Sequence, residues 1–409
     1  MQSKRICFLV GSAALSGGSY VIFQHASYLV DNGYDVTLAV QEAFDENTVA
    51  WHDHSHKFNF VQFEEGKKQS FDLVIATWWK TALELASFEA RRYAYFVQSI
   101  ESRFYPENEG PLRALVEATY GLPCAYVTEA TWISTYLQEN YGRQAALVRN
   151  GIRKDLYTPE GPVIVDRPKK NPRILIEGHF GVSFKNTALA LKLAKAAGAQ
   201  DIWVMTGSPV KSLPGVSRVF SRVPIDKTPE IYRSCDILVK LSTVEGMFGP
   251  PLEMFHCGGT AVVFDVTGFD EYIKDGVNAY VVRGRDTSCV IEKLEELLSS
   301  PDELMRLKKG ALETAEMWPD WSQSSRDFAR WVESVYAQPV VNREEIGHQV
   351  EAAWRKYSAE EGLRLKKNRL IVWKYRLKAM AQKMPLKIRN KIKYMQTMME
   401  IVSPSRRVF

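Results

Sequence analysis

The sequence predicts an α/β protein of two Rossmann-like, doubly wound domains followed by a basic helical extension. Three observations predict it. Short apolar runs alternate twice with segments of helical period, a proline-containing passage separates the two series, and the charge gathers at one end. The 409 residues, 45% hydrophobic and 25% charged, suffice for two cores of roughly 150 residues each with chain to spare.

Residues 5–10 form a short apolar run. Lys4-Arg5 ahead of it faintly imitates a signal peptide, but the run is brief and meets Gly11, Ser12 and Gly17-Gly18, as a first strand and its turn would. Residues 19–32 carry apolar positions near helical spacing, and 35–40 alternate and are β-branched. Strand, glycine loop, helix, strand opens a doubly wound sheet. Further strands are expected at 71–76, 93–97, 124–127 and 145–148, with helices at 112–120 and 131–141, giving a first domain over 1–158. Pro159, Pro162, Pro168 and Pro172 mark the boundary.

The second domain, 159–319, repeats the alternation. Strands are expected at 174–176, 202–205, 217–220, 237–241, 261–264 and 279–282, and helices at 187–197, 227–235, 251–256, 269–274 and 289–299. Trp321, Phe328, Trp331, Val335 and Tyr336 space out a last amphipathic helix, 320–337, that packs back on the core. In open sheets of this kind ligands bind outside the carboxyl ends of the strands.

Five scattered cysteines without a Cys-x-x-Cys pair suit a reducing cytoplasm. No apolar run approaches the roughly 18–20 residues that cross a bilayer. The net charge of +5 is uneven: residues 338–409 hold 17 Lys or Arg against 6 Glu, which leaves the preceding chain acidic. His52, His54 and His56 would share one face of a strand, a conceivable metal site but more simply a solvated face.

The most informative stretch runs from Val244 to Gly258 (Val-Glu-Gly-Met-Phe-Gly-Pro-Pro-Leu-Glu-Met-Phe-His-Cys-Gly). It follows an apolar strand, and Pro250-Pro251 fit a helix entrance. Glu253 is then expected in the first turn and Glu245 in the loop before it. Free amides at a helix start attract phosphate, and a carboxylate beside them suits a ribose diol. Taken alone, the two acids would be a dipole-complementing residue and a surface charge.

In context the segment resembles the glutamate-pair motif of the retaining family 4 glycosyltransferases of the GT-B fold. The resemblance implies that Glu253 holds the donor ribose and that Glu245 approaches the donor sugar, with Gly246, Met247, Phe248 and Gly249 as the loop whose amides meet the sugar. Met247 is an unusually bulky member of that loop. Gly17-Gly18 resembles the family's phosphate-side glycine pair, and Arg149-Asn150-Gly151-Ile152 its interdomain segment. Residues 232–237 and 268–278 resemble the segments before and after the motif. On the loop after the first strand of the second domain Lys185 is retained, but His179 stands where the family has an Arg, so Lys240 is a candidate to assist the phosphate clamp.

Residues 95–101 and 104–106 resemble a subgroup that includes a rhamnosyltransferase of a bacterial surface-layer glycan, which implies an acceptor site with Gln98, Glu101 and Tyr105. The implied activity is transfer from a UDP- or dTDP-sugar to a glycan or lipid-linked saccharide in cell-surface polysaccharide synthesis. Glu245 and Lys185 would be catalytic, configuration would be retained, and neither metal nor cofactor is expected. The alternative is a catalytically silent scaffold subunit of a polysaccharide assembly complex. A nicotinamide enzyme is excluded by its own fingerprint, because the first turn reads Gly11-Ser12-Ala13-Ala14-Leu15-Ser16 and not Gly-x-Gly-x-x-Gly.

In the tail, Leu363, Leu365, Leu370, Ile371, Val372, Trp373 and Leu377 interleave with Lys366, Lys367, Arg369, Lys374 and Arg376. A basic helix with an apolar side points to an anionic membrane surface, a protein partner, or docking on its own domain. Without a recognised module, nucleic acid is not an expected partner. The expected location is the cytoplasm, with peripheral attachment at the inner membrane face.

Overall fold

A computed structural model describes residues 3–367 together with Lys391 and Met395. Among the residues up to 367 the chain forms two compact units, one made of the residues up to Gly151 with 319–367, the other of Ile152–Trp318. The expected final helix and the start of the extension thus belong to the first unit.

The first unit holds β1 (Arg5–Val10), α1 (Gly17–Asp31), β2 (Asp35–Val40), α2 (Glu46–Val49), β3 (Asn59–Gln62), α3 (Phe63–Gly66), β4 (Ser70–Ala76), α4 (Trp79–Ala82), β5 (Glu89–Val97), α5 (Gly110–Ala118), β6 (Ala125–Thr128), α6 (Thr131–Tyr141) and β7 (Ala145–Leu147). All pairings are parallel, in the order β3-β2-β1-β4-β5-β6-β7. The interior strands read as unbroken apolar runs because helices bury both faces.

The second unit holds β8 (Ile174–Glu177), α7 (Thr187–Ala196), β9 (Ile202–Thr206), β10 (Arg218–Ser221), α8 (Thr228–Arg233), β11 (Ile237–Lys240), α9 (Gly249–His256), β12 (Thr260–Phe264), β13 (Tyr280–Val282), α10 (Thr287–Ser299) and α11 (Pro301–Met317). Its parallel order is β10-β9-β8-β11-β12-β13. Two helices then return to the first unit, α12 (Trp321–Ala337) and α13 (Arg343–Lys367).

Local chemistry places the helix starts. Ser16, Asp286, Ser300 and Asp320 each accept a backbone N–H from the first turn of α1, α10, α11 and α12. α12 turns Phe328, Trp331, Val332 and Val335 into the core under one face of the first sheet. There His25 stacks on Phe328 at 4.2 Å and its Nδ1 meets the Ser325 hydroxyl at 3.1 Å. α13 buries Ile346 and Val350 in the core under the opposite face. This part of the extension therefore docks on its own unit. Most of the basic and apolar interleaving expected beyond it lies outside the described residues.

Several expectations need correction. β3, a half-buried edge strand, was not expected, and neither was α11. The helix expected at 269–274 is a single tight turn, Phe269–Glu271, which starts from left-handed Gly268. The three histidines do not share a strand face: His52 is buried in a turn, and His56 lies in the 3-10 turn Ser55–Lys57. Among the described residues, no cluster of His, Cys, Asp and Glu could hold a metal ion. None of the described helices is long and apolar enough to cross a membrane.

Candidate functional site

In the second unit the order of strands reverses between β8 and β11, and at such a switch point the connecting loops part to leave a crevice. The loop after β8 begins at Gly178 (φ 152°), where a Cβ would lie 2.4 Å from the Thr187 hydroxyl, so only glycine fits. It ends at Asn186, whose side-chain amide donates to Leu241 O at 2.9 Å. Thr243 N in turn donates to Phe184 O at 2.8 Å. These bonds bind the loops after β8 and β11 to each other.

Lys185 and Glu245 meet there. The Lys185 ammonium lies 2.8 and 2.7 Å from the two Glu245 carboxylate oxygens. Behind them Lys240, the last residue of β11 and 2% exposed, contacts the Glu177 carboxylate and lies 3.7 Å from Glu245 Oε1. Cation, anion, cation and anion form one chain of contacts across the switch point. Burial by itself would raise the Glu245 pKa, but Lys185 and Lys240 outweigh it and hold the carboxyl below its usual range. Burial likewise opposes the charge on Lys240, and Glu177 and Glu245 overcome it.

α9 starts with Gly249-Pro250-Pro251, as the prolines imply. Because it begins at Gly249, Glu253 stands in the second turn and not the first. This half-buried carboxyl lies beside the buried Tyr232. Burial pushes its pKa up to about 7, with Glu177 adding to the rise while the Tyr232 hydroxyl and Lys240 oppose it. Gly246 and Met247 line the half-buried loop between the two acids, and Phe248 is fully buried, its carbonyl accepting the Tyr272 hydroxyl. The Phe248 side chain therefore anchors the loop. A cavity of about 290 Å³ opens past the carboxyl ends of β11, β12 and β13, lined by Ser242, Thr243, Asp265 and Arg285.

His179 is exposed, with Nδ1 3.4 Å from the Ser208 hydroxyl. Loss of solvation lowers its pKa, Glu177 opposes this, and the nearby Lys185, Arg222 and Lys240 depress it further. Sequence reasoning missed Arg222, which follows β10 in a left-handed conformation (φ 58°) and donates from Nε to Gly207 O at 3.3 Å. It missed Glu177 as well. Lys240, expected as a spare cation for phosphate, is instead occupied by two carboxylates.

Residues 212–314 match the family model described as glycosyl transferases group 1. That segment contains Arg222, Lys240, Glu245 and Glu253. Over 209 residues the chain is 27% identical to the O-antigen biosynthesis protein RfbC of Myxococcus xanthus, covering 47% of this chain and 16% of that protein. Over 170 residues it is 26% identical to the D-inositol 3-phosphate glycosyltransferase of Thermobispora bispora, covering 41% and 36%. The chain thus spans well under half the length of these relatives. Among solved structures it is similar to sucrose-phosphate synthase from Thermosynechococcus elongatus (TM-score 0.66, 15% identity, 82% of this chain and 100% of that one). It is also similar to Anabaena Alr3699/HepE in complex with UDP-glucose (TM-score 0.63, 16% identity, 81% and 100%). The fold is that of the GT-B glycosyltransferases, with two Rossmann-like units.

In the first unit the switch point lies between β1 and β4. Gly17 and Gly18 open α1, and a Cβ on Gly18 would lie 3.3 Å from Gln98 Oε1, so the structure brings these sequence-predicted residues together. The other acceptor candidates turn inward. Glu101 is 7% exposed, and its carboxylate accepts the Trp79 N–H at 2.8 Å and the Tyr95 hydroxyl at 3.3 Å. Burial pushes its pKa up to about 8. Tyr105 is half-buried, its hydroxyl accepting the Trp79 indole N–H at 3.2 Å. Both support the turn after β4 from beneath.

Proposed function

We propose that the chain transfers a sugar from a UDP- or dTDP-sugar to a glycan or lipid-linked saccharide, with retention of configuration and without a metal, in bacterial cell-surface polysaccharide synthesis. The observation that carries this reading is the Lys185–Glu245 pair spanning the switch point of the second sheet, with Glu253 on the adjacent helix. Lys185 and Arg222 stand where the charge of a departing diphosphate would develop, together with the amides that open α9. Fixed charges of this kind supply the largest share of catalysis in many enzymes. Glu253, poised near neutrality, suits a ribose diol, and Glu245, held ionised, suits the positive charge that gathers on a reacting sugar. The name of the Myxococcus relative favours a surface polysaccharide, and the resemblance of residues 95–106 favours rhamnose.

A thermal-shift panel of UDP-, dTDP- and GDP-sugars tests this reading. A ligand held only by the folded state adds about 2.7 kcal/mol at a hundred times its Kd. One of the first two should raise Tm, and Glu253→Ala should abolish the rise. No response to any nucleotide sugar overturns the proposal in favour of a silent scaffold. The extension past residue 338 would place the protein at the inner membrane face. Flotation with anionic liposomes should then favour the full chain over one ending near 338, and equal partitioning refutes that placement.

A further inference from the structure

We infer that Trp78 is the platform on which the first unit receives the sugar ring of the acceptor, with Lys80 and Gln98 as the polar groups beside it. This deepens the proposed transfer and rests on it. Four loop segments converge at the carboxyl edge of the first sheet on the two sides of its switch point. Gly11 follows β1, Gly18 opens α1, Thr77 and Trp78 follow β4, and Gln98 follows β5. A crevice at such a point is where open sheets take their ligands.

Trp78 is placed to fill that role. Trp78 is half-buried, as is Gln98 after β5, while their neighbours Thr77 and Ser99 are buried. The ring lies so close to Gly11 that a Cβ there would come within 2.5 Å of Trp78 Cε3. The glycine after the first strand is thus required by the indole and not by a phosphate loop. The exposed Lys80 holds its ammonium 4.6 Å from the ring centroid, and Gln98 donates to Thr77 O at 3.4 Å, which sets its amide beside the indole's own turn.

The backbone of the turn that carries the indole is fixed from below. Trp78 N and Thr77 N both donate to the Thr81 hydroxyl at 3.1 Å, and the next peptide N–H, that of Trp79, is held by Glu101. An aromatic side chain on a fixed turn, with cationic and amide donors beside it, matches a pyranose, which has an apolar C–H face and a girdle of hydroxyls. Glu101 and Tyr105 are positioning residues for that platform.

Saturation-transfer NMR on the full chain tests the inference, with the methyl glycosides of rhamnose, glucose, mannose and galactose as probes and UDP binding measured in parallel. At least one glycoside should receive saturation from the wild-type protein. The transfer should fall at least tenfold in Trp78→Ala and persist in part in Trp78→Phe, while the thermal shift with UDP stays unchanged in both. An equal signal from Trp78→Ala overturns the inference, and so does a wild-type protein that binds UDP but none of the four glycosides. A wild-type protein that binds a glycoside through Trp78 and no nucleotide sugar refutes the transfer reading instead.

Discussion

Replacing Lys240 by Met removes the cation at the centre of the second unit's charge chain and leaves its volume nearly filled. Lys240 is 2% exposed, touches Glu177, and stands 3.7 Å from Glu245. At that separation the attraction to Glu245 alone is about 4 kcal/mol with an effective dielectric constant near 20. Removing one partner of a buried pair costs roughly 3–5 kcal/mol, because the remaining charge keeps its desolvation penalty. Glu177 retains 24% of its side-chain surface and Glu245 keeps Lys185, so the lower end, about 3 kcal/mol, applies here. At roughly 2–4 °C per kcal/mol for a unit of this size, Tm should fall by about 6–12 °C. Adding Glu177→Gln should return most of that loss, since it removes the stranded charge. The assay is thermal unfolding by calorimetry on the wild type, both single variants and the double variant, closed as a cycle. A Lys240→Met protein within 1 °C of wild type, or a double variant no better than the single one, refutes the reasoning.

Three other perturbations have definite outcomes. Glu101, whose pKa is pushed up to about 8 from an ordinary 4.5, binds its proton more tightly folded than unfolded. Stability should therefore fall as pH rises from 4.5 to 8, by roughly 3–5 kcal/mol, and Glu101→Gln should flatten that slope in urea titrations. His25 is pushed down to about 3 by burial. It should contribute stability that is complete above pH 6.5 and lost as pH falls towards 3, a loss that is absent in His25→Phe if the ring does no more than pack on Phe328. Gly151→Ala would set a Cβ 2.4 Å from the backbone of Asp320 and Trp321 at the start of α12. A cost of roughly 3 kcal/mol, measured by denaturant unfolding, is expected, and a neutral result would show that the α12 start yields easily.

The alternation of apolar strands and helices was legible because buried parallel strands leave continuous runs in the sequence, and Glu245, Glu253 and Lys185 were legible because a spaced motif carries them. α11 was equally open to reading. Ser300-Pro301-Asp302-Glu303 is a cap, a proline entrance and an acidic first turn, followed by Leu304, Leu307, Ala311 and Ala315 on one face. The first unit's acceptor side was not legible in this way. Glu101 and Trp78 lie just past strand ends, and the tight turn Glu101–Phe104, with the Trp79 N–H to satisfy, decides that the acid goes in while the indole stays at the edge. Arg222 was hidden for a similar reason, since its position follows from a left-handed residue after β10 that no local pattern announces. Gly151 shows the reverse case: a family likeness marked it, and the close backbone of α12 explains it.

The charge chain at the second switch point is a poor device for stability, and this bears on its use. A buried ion pair seldom outperforms apolar residues of the same volume, so the lysine at the end of β11, after Ile-Leu-Val, is costly where a fourth hydrophobe would do. What the lysine does is favour the charged form of the acids around it. Lys185 and Lys240 hold the Glu245 carboxyl below its usual range against burial, while burial, with Glu177 adding to it, pushes Glu253 up to about 7. Two carboxyls eight positions apart are thereby shifted in opposite directions, the pattern by which one site assigns distinct roles to like groups. Lys240→Met should therefore raise Glu245, and Glu253 with it, since the ammonium favours the charged form of both. A pH profile of nucleotide-sugar turnover whose acid limb moves upward in that variant would tie the buried lysine to the reaction, and an unmoved limb would leave it a structural residue.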